Sequence, residues 1–187
     1  MFEKVQLPPS EGLFPVPVIL VSCLDKKTKK PNIITIAWCG VVCSTPPLIG
    51  ISIRPSRYSH DLIKETGDFV VNIPSVDLMK KVDICGVVSG RNADKFKMAG
   101  LTQKPSSNVV SPAVNECPVN IECKLRDTIK LGSHDLFLGE VAAIHVDKDM
   151  MKKGGGIDCG KVKPFIYALG EYWDINKKIG FYGCSGK

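Results

Sequence analysis

The segment SIRPSRYSHD, residues 52–61, holds the densest group of side chains in the sequence that could bind an anion. It continues an alternating run, LIGISIR, whose isoleucines share one face and predict a strand against the core. Ser52 and Arg54 then share the opposite face, and Ser56, Tyr58 and Ser59 fall in the turn before a predicted helix. Hydroxyls, guanidinium groups and free helix N–H groups are thereby brought together.

This combination suits a phosphate, because the planar fork of an arginine can bind two phosphate oxygens at once. The residues around Arg54 and Arg57 do not by themselves distinguish a phosphate site from a solvated turn. A polar turn exposed to water explains the same residues equally well.

A second informative segment is NIITIAW, residues 32–38. Thr35 and Ala37 give its predicted strand a small face that can form hydrogen bonds, next to the large ring of Trp38. A flat heteroaromatic ligand needs such a surface, where it can lie against backbone. A tryptophan packed at the end of a core strand is the alternative interpretation.

Composition narrows the class of protein. A chain of 187 residues with 44% hydrophobic residues can bury the core of one domain, and we expect one domain over 1–187. The eight cysteines include no C-x-x-C pair and several lie in apolar runs, which favours free thiols in a reducing cytoplasm. The net charge of +6 comes from scattered lysine groups, so neither a nucleic-acid partner nor a membrane span is expected.

Strand patterns dominate the chain. Strands are predicted over 17–25, 33–42, 48–53 and 68–74, over 119–126 with one wet face, and over 134–146 buried on both faces; a final one covers 165–173. Helices are predicted over 59–67, capped by Ser59, and within 76–100, where Asn92 caps the second one. The sequence of residues 151–164 predicts a flexible loop. Six or more strands with few helices favour an antiparallel barrel.

Three long motifs occur in a recognisable order. They are residues 32–74, from NIITIAW to FVVNIP, then CGVVSGRNADKF at 85–96 and GSHDLFLGEV at 132–141. Together they closely resemble the flavin reductase-like proteins with the FMN-binding split-barrel fold, and among them the flavoredoxin branch. The resemblance covers roughly residues 10 to 175.

This resemblance implies a mainly β fold, a six-stranded antiparallel Greek-key split barrel, and a homodimer that binds one FMN per subunit. Carried onto this sequence, the family pattern places Asn32, Thr35, Ala37 and Trp38 around the ring and ribityl chain of FMN, and Ser52, Arg54, Ser56, Tyr58 and Ser59 around its phosphate. Asn72 would support this wall, and Ser89, Lys95 and Phe96 would approach from a loop and helix beside the flavin.

His134 matches a histidine that lies near the nicotinamide or second-substrate side in related flavin reductases. A histidine bonded to backbone at the start of a strand is the other interpretation. Besides a flavin-storage or ligand-binding module without turnover, two redox functions stay open: an NAD(P)H-dependent flavin or ferric reductase, and a flavoredoxin-like carrier that exchanges electrons with redox proteins without a nicotinamide site. In both, FMN carries the chemistry and the protein sets its orientation and access.

Overall fold

A computed structural model describes residues 2–175 and 177–186 of the chain, and strands dominate it. The strands are β1 (Val16–Pro17), β2 (Ile19–Leu24), β3 (Pro31–Ile36), β4 (Cys39–Ser44), β5 (Pro47–Ile53), β6 (Asp68–Ile73), β7 (Gln103–Lys104), β8 (Ala113–Val114), β9 (Val119–Lys130), β10 (Asp135–Val146), β11 (Phe165–Ala168) and β12 (Glu171–Asp174). Every pairing between them is antiparallel, as the sequence predicted.

The main sheet has seven strands in the order β3-β2-β6-β9-β10-β5-β4, where six were predicted. The additional strand arises because the predicted strand 33–42 is broken after Ile36. At the break, the Cys39 N–H donates to the Ala37 carbonyl at 2.9 Å, which closes a turn too tight for a continuous strand. The backbone leaves β3 there and begins β4.

This break determines the shape of the sheet, because β3 and β4 lie at its opposite edges. In a flat sheet of seven strands those edges would be about 29 Å apart. The path from Ile36 to Cys39 spans at most about 11 Å. The sheet must therefore curl into a barrel, and residues of β3 and β5 come within 8 Å of each other across the split.

In the described part of the chain, four short α-helices accompany the strands: α1 (Tyr58–Thr66), α2 (Met79–Val87), α3 (Lys95–Ala99) and α4 (Cys159–Val162). Helix α1 ends at Gly67, whose φ of 74° is the left-handed conformation expected of a C-terminal glycine. The predicted caps were wrong. Extended Arg57 precedes α1, which leaves Ser59 inside the helix, and the Asp94 carboxylate, not Asn92, caps α3.

Apolar side chains form two cores, one on each face of β2 and β3. The barrel interior is filled by residues such as Ile51, Phe69 and Phe137, with Leu62 and Ile63 of α1 packed into it. The outer core lies under α2 and α3, and it includes Leu20, Ile33, Val82, Cys85 and Phe96. Helix α2 is therefore held directly over β3, next to the split.

The predicted wet face of β9 is only half exposed. Lys124 and Arg126 are outside the core, but Asn120 and Glu122 on the same face are buried under residues 105–114. The Glu122 carboxylate accepts hydrogen bonds from the Ser107 and Asn108 N–H groups and from His145. Burial alone would raise the pKa of Glu122, but these donors outweigh it and leave its pKa below the usual value.

Other parts of the carboxyl-terminal half also differ from the prediction. Strand β10 alternates between buried and exposed residues, because only one of its faces meets the core. The predicted last strand is a hairpin, β11–β12, that pairs with β1. The predicted loop 151–164 contains α4. Within residues 2–175 and 177–186, no helix is long and apolar enough to cross a lipid bilayer.

Asn72 of β6 is the centre of a buried polar network. Its Nδ2 donates to the Leu20 and Val70 carbonyls and to Ser22 Oγ, at 3.0 to 3.1 Å. Its Oδ1 accepts from the Val114 N–H and from Asn120 Nδ2, each at 2.9 Å. The amide thus joins three strands to the chain around β8.

Replacing Asn72 should therefore destabilise the fold. Asn72→Leu keeps the branched shape of the side chain, but the Val114 and Asn120 donors lose a buried acceptor, so we expect the free energy of unfolding to fall by about 3 kcal/mol. Urea denaturation measures the difference. Asn115→Leu, at an exposed position, is the matched control and should change stability by less than about 0.5 kcal/mol. Equal stabilities for the two variants would contradict this role of the network.

Candidate functional site

A cleft of two joined chambers lies at the split of the barrel. The wider chamber, about 350 Å³, is bounded by β3, the end of β5, α2 and the β11–β12 hairpin. The narrower one, about 210 Å³, lies between β3, the start of α1 and the segment that follows α2. Ile34, Arg57 and Gly86 line both, so one ligand can extend from one chamber into the other.

Aromatic rings form one wall of the wider chamber. The Trp38 and His134 rings are within 5° of parallel, with centroids 6.3 Å apart, and Tyr167 lies 6.2 Å from Trp38 on another side. Ser52 and Arg54 line the same chamber. Trp38 is placed there by the turn that ends β3, where its carbonyl accepts from the Ser52 N–H at 2.8 Å. Flat rings with a cation beside them suit a flat heteroaromatic ring that can accept negative charge.

The surroundings of His134 in this chamber favour its neutral form. Burial lowers the pKa of its imidazole, the positive charge of Arg54 lowers it further, and Glu11 opposes the shift. Its Nδ1 lies 2.9 Å from Ser133 Oγ. The uncharged ring can act as a hydrogen-bond partner for a molecule bound beside Trp38.

The narrower chamber is lined by polar groups. Asn32 Nδ2 donates to Ser59 Oγ at 2.7 Å, and both side chains are buried. Ser56 and Ser89 also line this chamber, so hydroxyl groups face it from both sides.

Lys95 is the group in this chamber with the most hydrogen-bond donors left without an acceptor. Its residue is only 5% exposed, and one hydrogen bond is found for its ammonium, to the Cys85 carbonyl at 2.8 Å. An ammonium has three protons to donate. Burial, and to a smaller extent the positive charge of nearby Arg57, lower the pKa of Lys95 to about 8. A buried cation of this kind is stabilised by an anion, so the narrow chamber suits a phosphate or carboxylate.

Twelve of the fourteen predicted site residues line the cleft. Thr35, Ala37, Trp38, Ser52, Arg54 and His134 lie in the wider chamber, and Asn32, Ser56, Tyr58, Ser59, Ser89 and Lys95 in the narrower one. Asn72 and Phe96 lie elsewhere. Asn72 belongs to the buried network described above, and Phe96 packs into the outer core, since its side chain projects away from that of Lys95 on the same helix.

The structure also separates residues that were predicted to surround one phosphate. Ser52 and Arg54 lie beside the aromatic wall, whereas Ser56 and Ser59 lie in the narrow chamber. Two of the predicted hydroxyls already donate within the protein. Thr35 donates to the Val82 carbonyl, and Tyr58 donates to Asp25 Oδ2 at 2.9 Å. These two side chains can contact a ligand, but their hydroxyl protons already form hydrogen bonds within the protein.

Several lining residues were not predicted from the sequence. Glu11, Asp83, Tyr167 and Tyr172 all line the wider chamber. Tyr172 donates to Asp83 at 3.0 Å, which fastens the β11–β12 hairpin to α2; burial first, and then this bond, raises the pKa of Tyr172 to about 12. No local pattern marks these residues, because they come from distant segments that only the barrel brings together.

A third cavity, about 610 Å³, adjoins the wider chamber beyond Trp38. Leu13, Val16 and Leu169 make it largely apolar, and Glu11, Ala37 and Tyr167 line it as well as the wider chamber. A second molecule therefore has room beside whatever occupies the wider chamber. Across residues 2–175 and 177–186 the side chains form no cluster of three or more His, Cys, Asp or Glu that could hold a metal ion.

Comparison with known proteins agrees with this geometry. The family model described as "Flavin reductase like domain" matches residues 11–175. An uncharacterized protein of Archaeoglobus fulgidus is 37% identical over 177 residues, which is 95% of this chain and 88% of that protein.

Two solved structures have closely similar folds. Flavoredoxin of Desulfovibrio vulgaris (Miyazaki F) superimposes with a TM-score of 0.93 at 36% identity, covering 99% of this chain and 100% of that one. Flavoredoxin from Methanosarcina acetivorans does so with a TM-score of 0.91 at 28% identity, covering 100% and 98%. The predicted split-barrel fold is thus confirmed, with its strand count corrected, and the chain belongs to the flavin reductase-like domain family.

Proposed function

We propose that this protein is an FMN-binding oxidoreductase that takes reducing equivalents from a reduced nicotinamide and passes them on through the bound flavin. The observation that carries the proposal is the buried Lys95 ammonium in a narrow polar chamber that opens into a chamber walled by aromatic rings. FMN has this combination of a flat ring at one end and a phosphate at the other.

The residues present fit such a molecule. The wider chamber would hold the isoalloxazine ring between β3 and the wall of Trp38, and the narrower one would hold the phosphate near Ser56, Ser59 and Lys95. Arg54 would act on the ring end, where its charge favours extra electron density on the ring. Bound FMN would supply the redox chemistry, since its ring accepts a hydride and releases electrons singly or in pairs.

A reduced nicotinamide, NADH or NADPH, would approach from the side of the third cavity, which adjoins the wider chamber at Trp38. His134 lies in the wider chamber beside Trp38. Its neutral imidazole would orient the incoming molecule by a hydrogen bond, without a charge that repels the positive oxidised nicotinamide. The acceptor after the flavin is a small molecule or a redox protein.

One finding favours a second function. The two solved structures described above are flavoredoxins, and one is 36% identical to this chain. In that case the bound FMN would exchange electrons with other redox proteins, and the third cavity would hold no nicotinamide.

We also propose that the protein forms a homodimer. Residues 2–15 and 177–186 contain no helix or strand, yet Phe2, Leu7, Ile179 and Phe181 in these segments are at least two-thirds exposed. Val41 on the edge strand β4 is exposed as well. Apolar surface of this extent is typical of a surface that meets a partner, and a second copy would cover it.

The Lys95 assignment predicts a selective loss of phosphate binding. Lys95→Met keeps the buried stem but removes the charge, so we expect the FMN dissociation constant to rise about thirtyfold. Riboflavin has the same ring without the phosphate, and its affinity should stay within about twofold of the native value. Arg54→Met is the control, because it lies in the other chamber and should change both affinities alike. Flavin fluorescence quenching measures the six constants, one for FMN and one for riboflavin with the native chain and with each variant.

The same residue predicts a pH dependence. In the free protein the pKa of Lys95 is about 8, and a bound phosphate raises it by stabilising the ammonium. Above about pH 8 binding must then take up a proton, so FMN affinity should fall as pH rises, by up to tenfold per unit. The thiols near Lys95 do not account for such a change between pH 7 and 10, since burial raises the pKa of Cys85 to about 11 and that of Cys23 to about 12. A native FMN-to-riboflavin affinity ratio that stays constant from pH 7 to 10 would contradict the assignment.

The choice between the two functions rests on the electron donor. If the nicotinamide proposal is correct, mixing the FMN-loaded protein with NADH or NADPH under anaerobic conditions bleaches the flavin absorbance within seconds, and His134→Ala slows the bleaching. Stopped-flow absorbance provides the measurement. No reduction at millimolar NADH or NADPH would overturn the proposal and favour the carrier.

A homodimer predicts a sedimenting mass of about twice 20.4 kDa. Analytical ultracentrifugation of the native chain at micromolar concentration measures it. Removal of residues 177–187 should shift the equilibrium toward monomer, because part of the covered apolar surface is lost. A native protein that sediments as a monomer would show that the exposed side chains meet no second copy.

A further inference from the structure

The narrow chamber is covered by a short segment, residues 88–94, which we name the strap. It joins the end of α2 at Val87 to the start of α3 at Lys95. Ser89 and Gly90 of the strap line the chamber, but Arg91 does not. The guanidinium of Arg91 lies outside and extends across to the beginning of α1.

Arg91 makes contact with three groups at the start of α1. Its Nη1 donates to the Ser56 carbonyl at 2.7 Å, its Nη2 lies 3.5 Å from Asp61 Oδ2, and its guanidinium sits 5.4 Å from the centre of the Tyr58 ring. These contacts join one side of the chamber mouth to the other. A lysine could not make them together, because only the planar fork donates in two directions while stacking on a ring.

The groups that receive Arg91 are themselves fixed in place. The Tyr58 hydroxyl donates to Asp25 at 2.9 Å, and Asp61 Oδ1 lies 2.9 Å from Nδ1 of the buried His60. His60 Nε2 in turn lies 2.9 Å from the buried Asp135. The strap is therefore tied to a rigid part of the barrel.

Gly90 shows how closely the strap approaches the chamber wall. A Cβ atom added at Gly90 would lie 2.0 Å from Oδ1 of the buried Asn32 and 3.1 Å from the Tyr58 ring. No side chain fits in this space unless the strap moves away from β3 or the Asn32 side chain, held by its hydrogen bond to Ser59, is displaced. The closed position of the strap thus depends on both the glycine inside and the arginine outside.

We infer that Arg91 is a positioning residue that latches the strap over the phosphate end of the bound ligand and slows its release without touching it. The inference rests on the proposed binding of FMN, and it concerns how long the ligand stays. An outer latch acts mainly on the dissociation rate, because the barrier to leaving includes the breaking of its contacts.

Three variants test the latch by different physical changes. Arg91→Met removes the three contacts and should speed FMN dissociation about tenfold. Gly90→Ala changes no charge but pushes the strap outward, and it should also speed dissociation. Asp61→Asn weakens the pair with Arg91, while the amide oxygen still accepts from His60, and should speed dissociation about threefold.

Asp61→Asn also separates the latch from simple electrostatics. This change removes a negative charge near the mouth of an anion site, so if charge alone mattered, FMN would leave more slowly. The latch predicts the opposite sign. The matched controls are Arg126→Met and Glu140→Gln, a pair also 3.5 Å apart and similarly exposed, at 50% and 49% against 45% and 56% for Arg91 and Asp61. Neither control should change the rate.

The measurement is the fluorescence of FMN released after dilution of the loaded protein, with thermal melting as the check that each variant is folded. The native chain is measured first, and failure to retain any FMN would overturn the proposed function and the latch together. If the native chain retains FMN but folded Arg91→Met and Gly90→Ala release it at the native rate, the latch alone is wrong. Slower release from Asp61→Asn would likewise overturn the latch in favour of simple electrostatics.

Discussion

Ala37 and Trp38 connect two strands that lie at opposite edges of one seven-stranded sheet, and two residues can do so only if the sheet curls on itself. The edge strand β3 then faces the end of β5, but the two do not pair, so a cleft stays open between them. The same tight turn exposes the Trp38 ring at the cleft, where it meets His134 from the start of β10. The connection that shapes the barrel thus also builds the aromatic wall of the site.

Two groups of buried polar side chains show how structural and binding roles can be told apart. Around Asn72 the donors and acceptors are matched within the protein, and the network ties strands together. In the narrow chamber, beside Asn32 and Ser59, Lys95 has one carbonyl for three protons. Both groups are equally hidden from water. The difference lies in what remains unsatisfied, and an unsatisfied buried cation indicates a place for an anion.

Under the proposed function, the wide and the narrow parts of the cleft have different roles. Its wide part meets a further cavity at Trp38, where a reaction partner has room, whereas its narrow part is covered by the strap. A cofactor held by its phosphate end can stay bound while its ring remains accessible. This arrangement serves a reductase and an electron carrier equally, so the family's fold does not by itself distinguish them.

The sequence alone determined much of the local structure and the family. Alternation correctly placed Ile51 and Ile53 in the core and Ser52 away from it, Gly67 ended α1, and three motifs identified the flavin reductase-like fold. Such signals succeed because the period of a strand and the cap of a helix depend on near neighbours. Tertiary structure alone decided that Arg54 and Ser59 lie in different chambers, that Asn72 and Glu122 are buried, and that Tyr172 meets Asp83. These outcomes depend on which distant segments the curled sheet brings together, and periodicity along the chain reports a residue's face but not what will cover it.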